Sequence, residues 1–136
     1  MNDFPSVWLV DDDEDDLYIF KTAFKQLFPH LDIRLFFDGE ELLPALTAAS
    51  LLPKLVLLDL NMPKQNGFVT LRMLRFEERF QQLPVIILTT SSSTDDHETS
   101  YFLGANEVLI KPATQNEIRD IILKLNQDWK IAGTTD

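Results

Sequence analysis

The sequence contains no cysteine. A disulfide framework, a thiolate nucleophile and a cysteine-ligated zinc centre are therefore all excluded, and a reducing cytoplasm is the expected location. Basic residues are scarce, with 12 Lys and Arg against 22 Asp and Glu and a net charge of −10. Binders of a phosphate backbone need clustered cations, so nucleic acid is not an expected partner. Long hydrophobic runs are missing too. The run Val7 to Val10 is too short for a signal peptide and has no basic flank, and nothing approaches the ~20 apolar residues of a membrane helix. There are only four glycines, and neither a G-x-G-x-x-G fingerprint nor a P-loop lysine, which disfavours dinucleotide and ATP binding. No repeat, low-complexity segment or linker interrupts the chain. Its 136 residues suit one domain over 1–136, with a packed core over about 5–130 and a tail at 131–136. On this length no DNA-binding or catalytic output domain is expected.

What the sequence does have is a set of short apolar runs, each stopped by a polar residue. The central one is Leu55 to Gly67, LVLLDLNMPKQNG, whose leucines and valine run unbroken between Pro53 and Asp59. A continuous apolar run between breakers reads as a strand buried on both faces, the habit of parallel sheets. Val7 to Val10, Ile33 to Phe37, Val85 to Leu88 and Val108 to Ile110 are the other strand candidates. Between them, residues recur at helical spacing: Leu17, Phe20, Ala23 or Phe24, and Leu27, then Leu42, Leu43 and Leu46, then Phe68, Leu71 and Leu74 or Arg75. A fourth helix starts at a Ser93 or Thr94 cap and stops at Gly104, and a fifth carries Ile118, Ile121, Ile122, Leu125 and Trp129. Pro44 falls inside the second helix and is expected in an early turn or a distortion.

Strand and helix alternate five times, which predicts an α/β fold of the flavodoxin-like (βα)5 type. It has a parallel sheet of order 2-1-3-4-5 and helices on both faces. In such sheets ligands bind beyond the carboxyl ends of the strands. The residues found there are Asp11 and Asp12 after the first strand, Asp59 after the third, Thr89 after the fourth and Lys111 after the fifth. The strand order makes the first and third strands neighbours, so three carboxylates converge. Two carboxylates ~5 Å apart repel by about 3 kcal/mol at an effective dielectric of 20. Three of them in one pocket need either protons or a cation, and all-oxygen ligands favour Mg2+. A calcium loop fails, because Asp16 stands where glycine is required and Thr22 where the bidentate glutamate belongs. Asp13, Glu14, Asp15 and Asp16 read as solvated acids at a helix start, favoured by the dipole. Lys111 can pair with Asp59 or a phosphoryl oxygen, and the Thr89 hydroxyl can donate to one.

Four motifs in order carry a resemblance. They are the acid pair Asp11-Asp12, the D-x-N-M-P-x-x-x-G run of Asp59, Asn61, Met62, Pro63 and Gly67, the P-V-I-x-L-T run ending in Thr89, and G-A-x-x-x-x-x-K-P ending in Lys111-Pro112. Together they resemble a two-component response-regulator receiver domain over about residues 5–130, and most of all the small stand-alone receivers that serve bacterial phytochrome-type kinases. The resemblance implies that Asp59 accepts a phosphoryl group from a sensor histidine kinase or a histidine phosphotransfer protein. It implies that Asp12, Asp59 and the backbone carbonyl of Asn61 ligate Mg2+ directly, with Asp11 acting through water. It further implies that Lys111 pairs with the acceptor, that Thr89 reports the phosphoryl group, and that the Lys111-Pro112 bond is a candidate for cis. Signalling would pass through protein contacts or a phosphorelay, and the fourth helix, last strand and last helix form a candidate homodimer face. Two departures stand out. Val108 occupies a position where the family usually carries Tyr or Phe, and valine cannot swing as a ring does, so the output face is expected to switch by backbone shift. Thr90 is bulkier than the usual Ala or Ser and is expected to narrow access.

Two rival readings remain. One is an aspartyl-nucleophile phosphatase using Asp11 or Asp13. The other is an interaction module that keeps the site without being phosphorylated. His30, His97 and Trp8 are expected to have no functional role, and Trp129 is expected to pack or to anchor a partner.

Overall fold

The computed structural model describes residues 5–133. Five parallel strands, β1 (Ser6–Val10), β2 (Asp32–Phe36), β3 (Leu55–Leu58), β4 (Val85–Thr89) and β5 (Glu107–Ile110), form one sheet of order β2-β1-β3-β4-β5. Helices α1 (Glu14–Leu27), α2 (Leu42–Ala48), α3 (Gly67–Phe76), α4 (Thr94–Phe102) and α5 (Gln115–Trp129) connect the strands or follow the last. The order expected from the sequence is the order found.

Strand alternation sorts the core into two layers. Val7, Leu9, Leu55 and Leu57 face Leu17, Phe20 and Phe24 of α1 and Ile118, Ile122 and Leu125 of α5. Trp8, Val10, Val56 and Leu58 face Leu42 and Leu46 of α2 and Leu71 and Leu74 of α3. Both faces of β3 are covered, which is why its sequence is a leucine and valine run rather than an alternation. The edge strand β5 has no fully covered residue, and Ile110 is half exposed.

The second helix is shorter than the span from Glu40 to about Ser50 over which the sequence reads as helical. A single 3-10 turn, Gly39–Glu41, leads into α2, where Pro44 occupies the third position. Its missing N–H there is one that no helical carbonyl would have met, so the proline is accommodated without a kink. Likewise α3 stops at Phe76, and a second 3-10 turn covers Glu78–Phe80. The chain stays packed past α5, because Lys130 takes a left-handed cap and Ile131 is fully buried. The remainder of the expected tail, 134–136, lies outside the described residues. Among the described residues no peptide bond is cis, so the expectation for Lys111-Pro112 is corrected to trans, the form that X-Pro bonds favour by about 0.5–1 kcal/mol.

Candidate functional site

Backbone register assembles the site. The Asp59 N–H donates to the Val10 carbonyl at 3.0 Å, and the Asp11 N–H donates to the Phe36 carbonyl at 3.0 Å. Both aspartates thus extend their strands' ladders by one residue, side by side at the carboxyl edge. Asp12 follows and is exposed, whereas Asp11 and Asp59 are buried. Each of Asp11, Asp12 and Asp59 offers a carboxylate oxygen, and these oxygens all lie within 4.8 Å of one another. On the other side of Asp59, the Lys111 N–H donates to the Thr89 carbonyl at 2.8 Å, joining the ends of β4 and β5.

Lys111 is the cation among these acids. Its ammonium lies 2.8 Å from Asp11 Oδ2, 2.8 Å from Asp16 Oδ2 and 3.8 Å from Asp59 Oδ1. Burial by itself would lower the Lys111 pKa, but its bonds to Asp11 and Asp16 raise it, so the ammonium stays charged. Asp59 moves the other way. Burial, reinforced by the charge of Asp11, pushes its carboxyl up to about 6, and Lys111 offsets this only in part. Asp11 is also raised, first by burial, with Lys111 opposing. Three acids and one ammonium leave net negative charge at a partly buried site. The all-oxygen donor set and that unbalanced charge fit a hard divalent cation.

Asp16 is a correction. The dipole argument placed it in solvent, yet it meets Lys111 across 95 positions of sequence. Its own helix positions it: Asp13 caps α1 by accepting from the N–H groups of Asp15 and Asp16, which fixes Asp16 in the first turn beside the sheet edge. Asp11, Asp16 and Asp59 line one cavity of about 20 Å³ with Leu9, Leu57 and Leu88. Asp13, by contrast, is exposed and caps α1 through its Oδ1.

The loop after Asp59 is braced by residues that sequence reasoning passed over. Asp38 is buried, and its carboxylate accepts from the N–H groups of Glu40, Lys64 and Gln65. Burial would raise its pKa, but these three bonds lower it. Nothing in the sequence around Asp38-Gly39 signals bonds to a loop 26 and 27 positions away. Asn66 caps α3 through the Val69 N–H, and a Cβ on Gly67 would collide with the Asp59 carbonyl oxygen. Only glycine lets α3 start this close to the acid. Asn61 sits in the same loop, two residues past Asp59, and is exposed. Thr89 is fully buried, and its hydroxyl accepts from the Ser91 N–H at 3.1 Å. His97 meets the Ser91 carbonyl at 2.8 Å, a local contact of the β4–α4 loop. Trp8 and Trp129 both pack against the core.

This geometry has close counterparts among known proteins. The chain matches the family model of the response regulator receiver domain over residues 7–123. It is 32% identical over 127 residues to the probable methanogenesis regulatory protein FilR2 of Methanothrix harundinacea, covering 90% of this chain and 82% of that one. It is 40% identical over 106 residues to the transcriptional regulatory protein CiaR of Streptococcus pneumoniae, and covers 78% of this chain but only 46% of CiaR. Among solved structures, the phosphorylated cyanobacterial phytochrome response regulator RcpA superposes with a TM-score of 0.86 at 27% identity, over 96% of this chain and 97% of that one. The Mn2+-bound form of response regulator Rcp1 gives a TM-score of 0.82 at 26% identity, over 97% of both chains. Five parallel strands in this order, an aspartate trio at their carboxyl edge and a family match over most of the sequence lead to one conclusion: the chain belongs to the response regulator receiver domain family.

Proposed function

We propose that Asp59 is the residue that takes the phosphoryl group, from a phosphohistidine on a sensor histidine kinase or a histidine phosphotransfer protein. The observation that carries this reading is the gathering of Asp11, Asp12 and Asp59 within 4.8 Å, with the Lys111 ammonium against the same group. An Asp59 Oδ atom attacks phosphorus, the P–N bond breaks, and the imidazole leaves with the electron pair and takes up a proton. Because the Asp59 pKa is about 6, the carboxylate is ionised at neutral pH and needs no general base. Asp11, Asp12, Asp59 and the Asn61 carbonyl would hold Mg2+, which when bound neutralises charge on the phosphoryl oxygens. Lys111 supplies the remaining positive charge, and Thr89 turns its hydroxyl toward the phosphoryl group. Phosphoryl transfer asks a protein chiefly for such positioning and charge balance.

The donor needs a surface beside this site. Tyr18 and Ile19 are exposed on α1 and, with Gln115 and Arg119 of α5, line a groove of about 400 Å³ that offers the donor a contact surface. Signalling from the phosphorylated form goes to a protein partner through α4, β5 and α5, the same face being the candidate for a homodimer. No described helix is long and apolar enough to cross a membrane, and the cytoplasm is the proposed location. The test is incubation with acetyl phosphate and Mg2+, followed by intact mass. The wild type gains one phosphoryl group and Asp59→Asn gains none. Labelling that persists in Asp59→Asn would assign the acceptor elsewhere.

A further inference from the structure

We propose that Asp16 is a positioning residue that competes with the Asp59 phosphoryl group for the Lys111 ammonium. This rests on the reading of Asp59 as the acceptor. An ammonium has three protons to give. Two short contacts, both 2.8 Å, go to Asp11 and Asp16, while Asp59 at 3.8 Å is outside hydrogen-bond range. One proton remains, so an oxygen carried by Asp59 can bond Lys111 once the 3.8 Å gap closes, against the hold of Asp11 and Asp16 on the ammonium.

The two competitors are not equivalent. Asp11 belongs to the carboxylate trio that fits a cation, so a bound metal would compete with Lys111 for its carboxylate. Asp16 is outside that trio and keeps its hold. Its backbone is fixed by the Asp13 cap, and a helical side chain leans toward its helix N-terminus, here the sheet edge. Asp16 also lines the small cavity that Asp59 lines. Its side chain is one-third exposed, so the Asp16–Lys111 pair is loose enough to open when a stronger anion arrives. The pair acts as a brake on Lys111, setting how readily the lysine closes on the phosphoryl group.

A dipole-only role for Asp16 predicts something different. Asp15 sits in the same turn and carries the same charge, but the ion pairs of Lys111 are with Asp11, Asp16 and Asp59. The test compares the full chain as wild type, Asp16→Asn, Asp16→Ser and Asp15→Asn, titrated with beryllofluoride and Mg2+ and followed by fluorine NMR. Beryllofluoride mimics a phosphoryl group on a carboxylate. Asp16→Asn and Asp16→Ser are expected to bind it roughly two- to fivefold tighter than wild type. They are also expected to shift the resonance of the fluorine nearest Lys111, while Asp15→Asn does neither. Equal affinity in Asp16→Asn and Asp15→Asn, or weaker binding in both Asp16 variants, overturns the proposal. A wild type that takes up no beryllofluoride would instead overturn the acceptor reading, and this proposal with it.

Discussion

Lys111 stands 2.8 Å from Asp11 and 3.8 Å from Asp59, so the ammonium beside the proposed acceptor is bonded to a different carboxylate. The lysine serves the folded protein before it serves any transfer, because it balances acids that the strand ends force together. Lys111→Met should lower stability by on the order of 2–3 kcal/mol at neutral pH, since breaking a buried pair leaves uncompensated charge. Mg2+ should recover much of that loss by binding the same acids. Urea unfolding with Mg2+ and with chelator measures both effects. A variant as stable as wild type in chelator would show that Lys111 is dispensable to the fold.

Asp59 predicts the pH dependence of the metal-free protein. Its carboxyl is raised from 3.8 to about 6, so the folded state holds this proton more tightly than the unfolded state. Stability from this group therefore falls as pH rises from about 4 to about 6 and is level above that. At pH 7 the ionised side chain costs on the order of 2–3 kcal/mol. Asp59→Asn should remove that slope and raise Tm in chelator, while abolishing phosphoryl uptake. Thermal melts of wild type and variant at pH 5 and pH 7 check it. Equal shifts at both values would rule out Asp59 as the origin.

Asp38 behaves in the opposite sense. Three N–H bonds depress its pKa, so its contribution is present at neutral pH and lost as pH falls through the lowered folded value. Asp38→Ala should cost about 2 kcal/mol, because it strands three backbone donors. It should also slow phosphorylation by acetyl phosphate by loosening the loop that carries Asn61. Asp38→Asn, which keeps one acceptor oxygen, should fall between. Chemical denaturation and phosphorylation rates of the three proteins provide the comparison.

These residues also show what the sequence could reveal. Asp11, Asp12, Asp59, Thr89 and Lys111 were legible because each ends an apolar run, and in a parallel sheet all such ends share one edge. Their pairing needs only strand order. Asp16 and Asp38 were not legible, because their partners are set by where a helix start or a loop lands, not by a period. Arg75 is a similar case. In sequence it is a residue of an amphipathic helix, but in the fold its guanidinium donates to the carbonyls of Phe80, Leu83 and Gly104 and to Asn106 Oδ1. Gly104 takes a positive φ of 111°, and a Cβ there would approach the Arg75 side chain to 2.8 Å. The helix stop read from that glycine was correct, but the arginine seated against it was not foreseen.

Arg75→Lys should thus be nearly as damaging as Arg75→Ala. A lysine has no planar fork to reach several carbonyls at once, and the freed acceptors are partly buried. A loss of about 2–3 kcal/mol is expected for each in urea unfolding. A lysine variant close to wild type would mean that charge alone suffices.

Val108 has no aromatic ring to offer on β5. The structure supplies a ring from elsewhere: the Tyr101 hydroxyl of α4 accepts the Val108 N–H at 3.1 Å. On the edge strand β5 that N–H has no further strand to meet, so the tyrosine is what ties α4 to the β5 backbone. Tyr101 is half exposed, and in Tyr101→Phe water can replace the hydroxyl. The stability cost should be small, about 0.5–1 kcal/mol. Motion should change more than stability, with faster hydrogen exchange at the Val108 amide. If the output face moves as backbone rather than by a ring flip, beryllofluoride should shift the amide resonances of 107–110 in wild type and much less in Tyr101→Phe. Equal shifts in both proteins would mean that β5 responds to the site without help from α4.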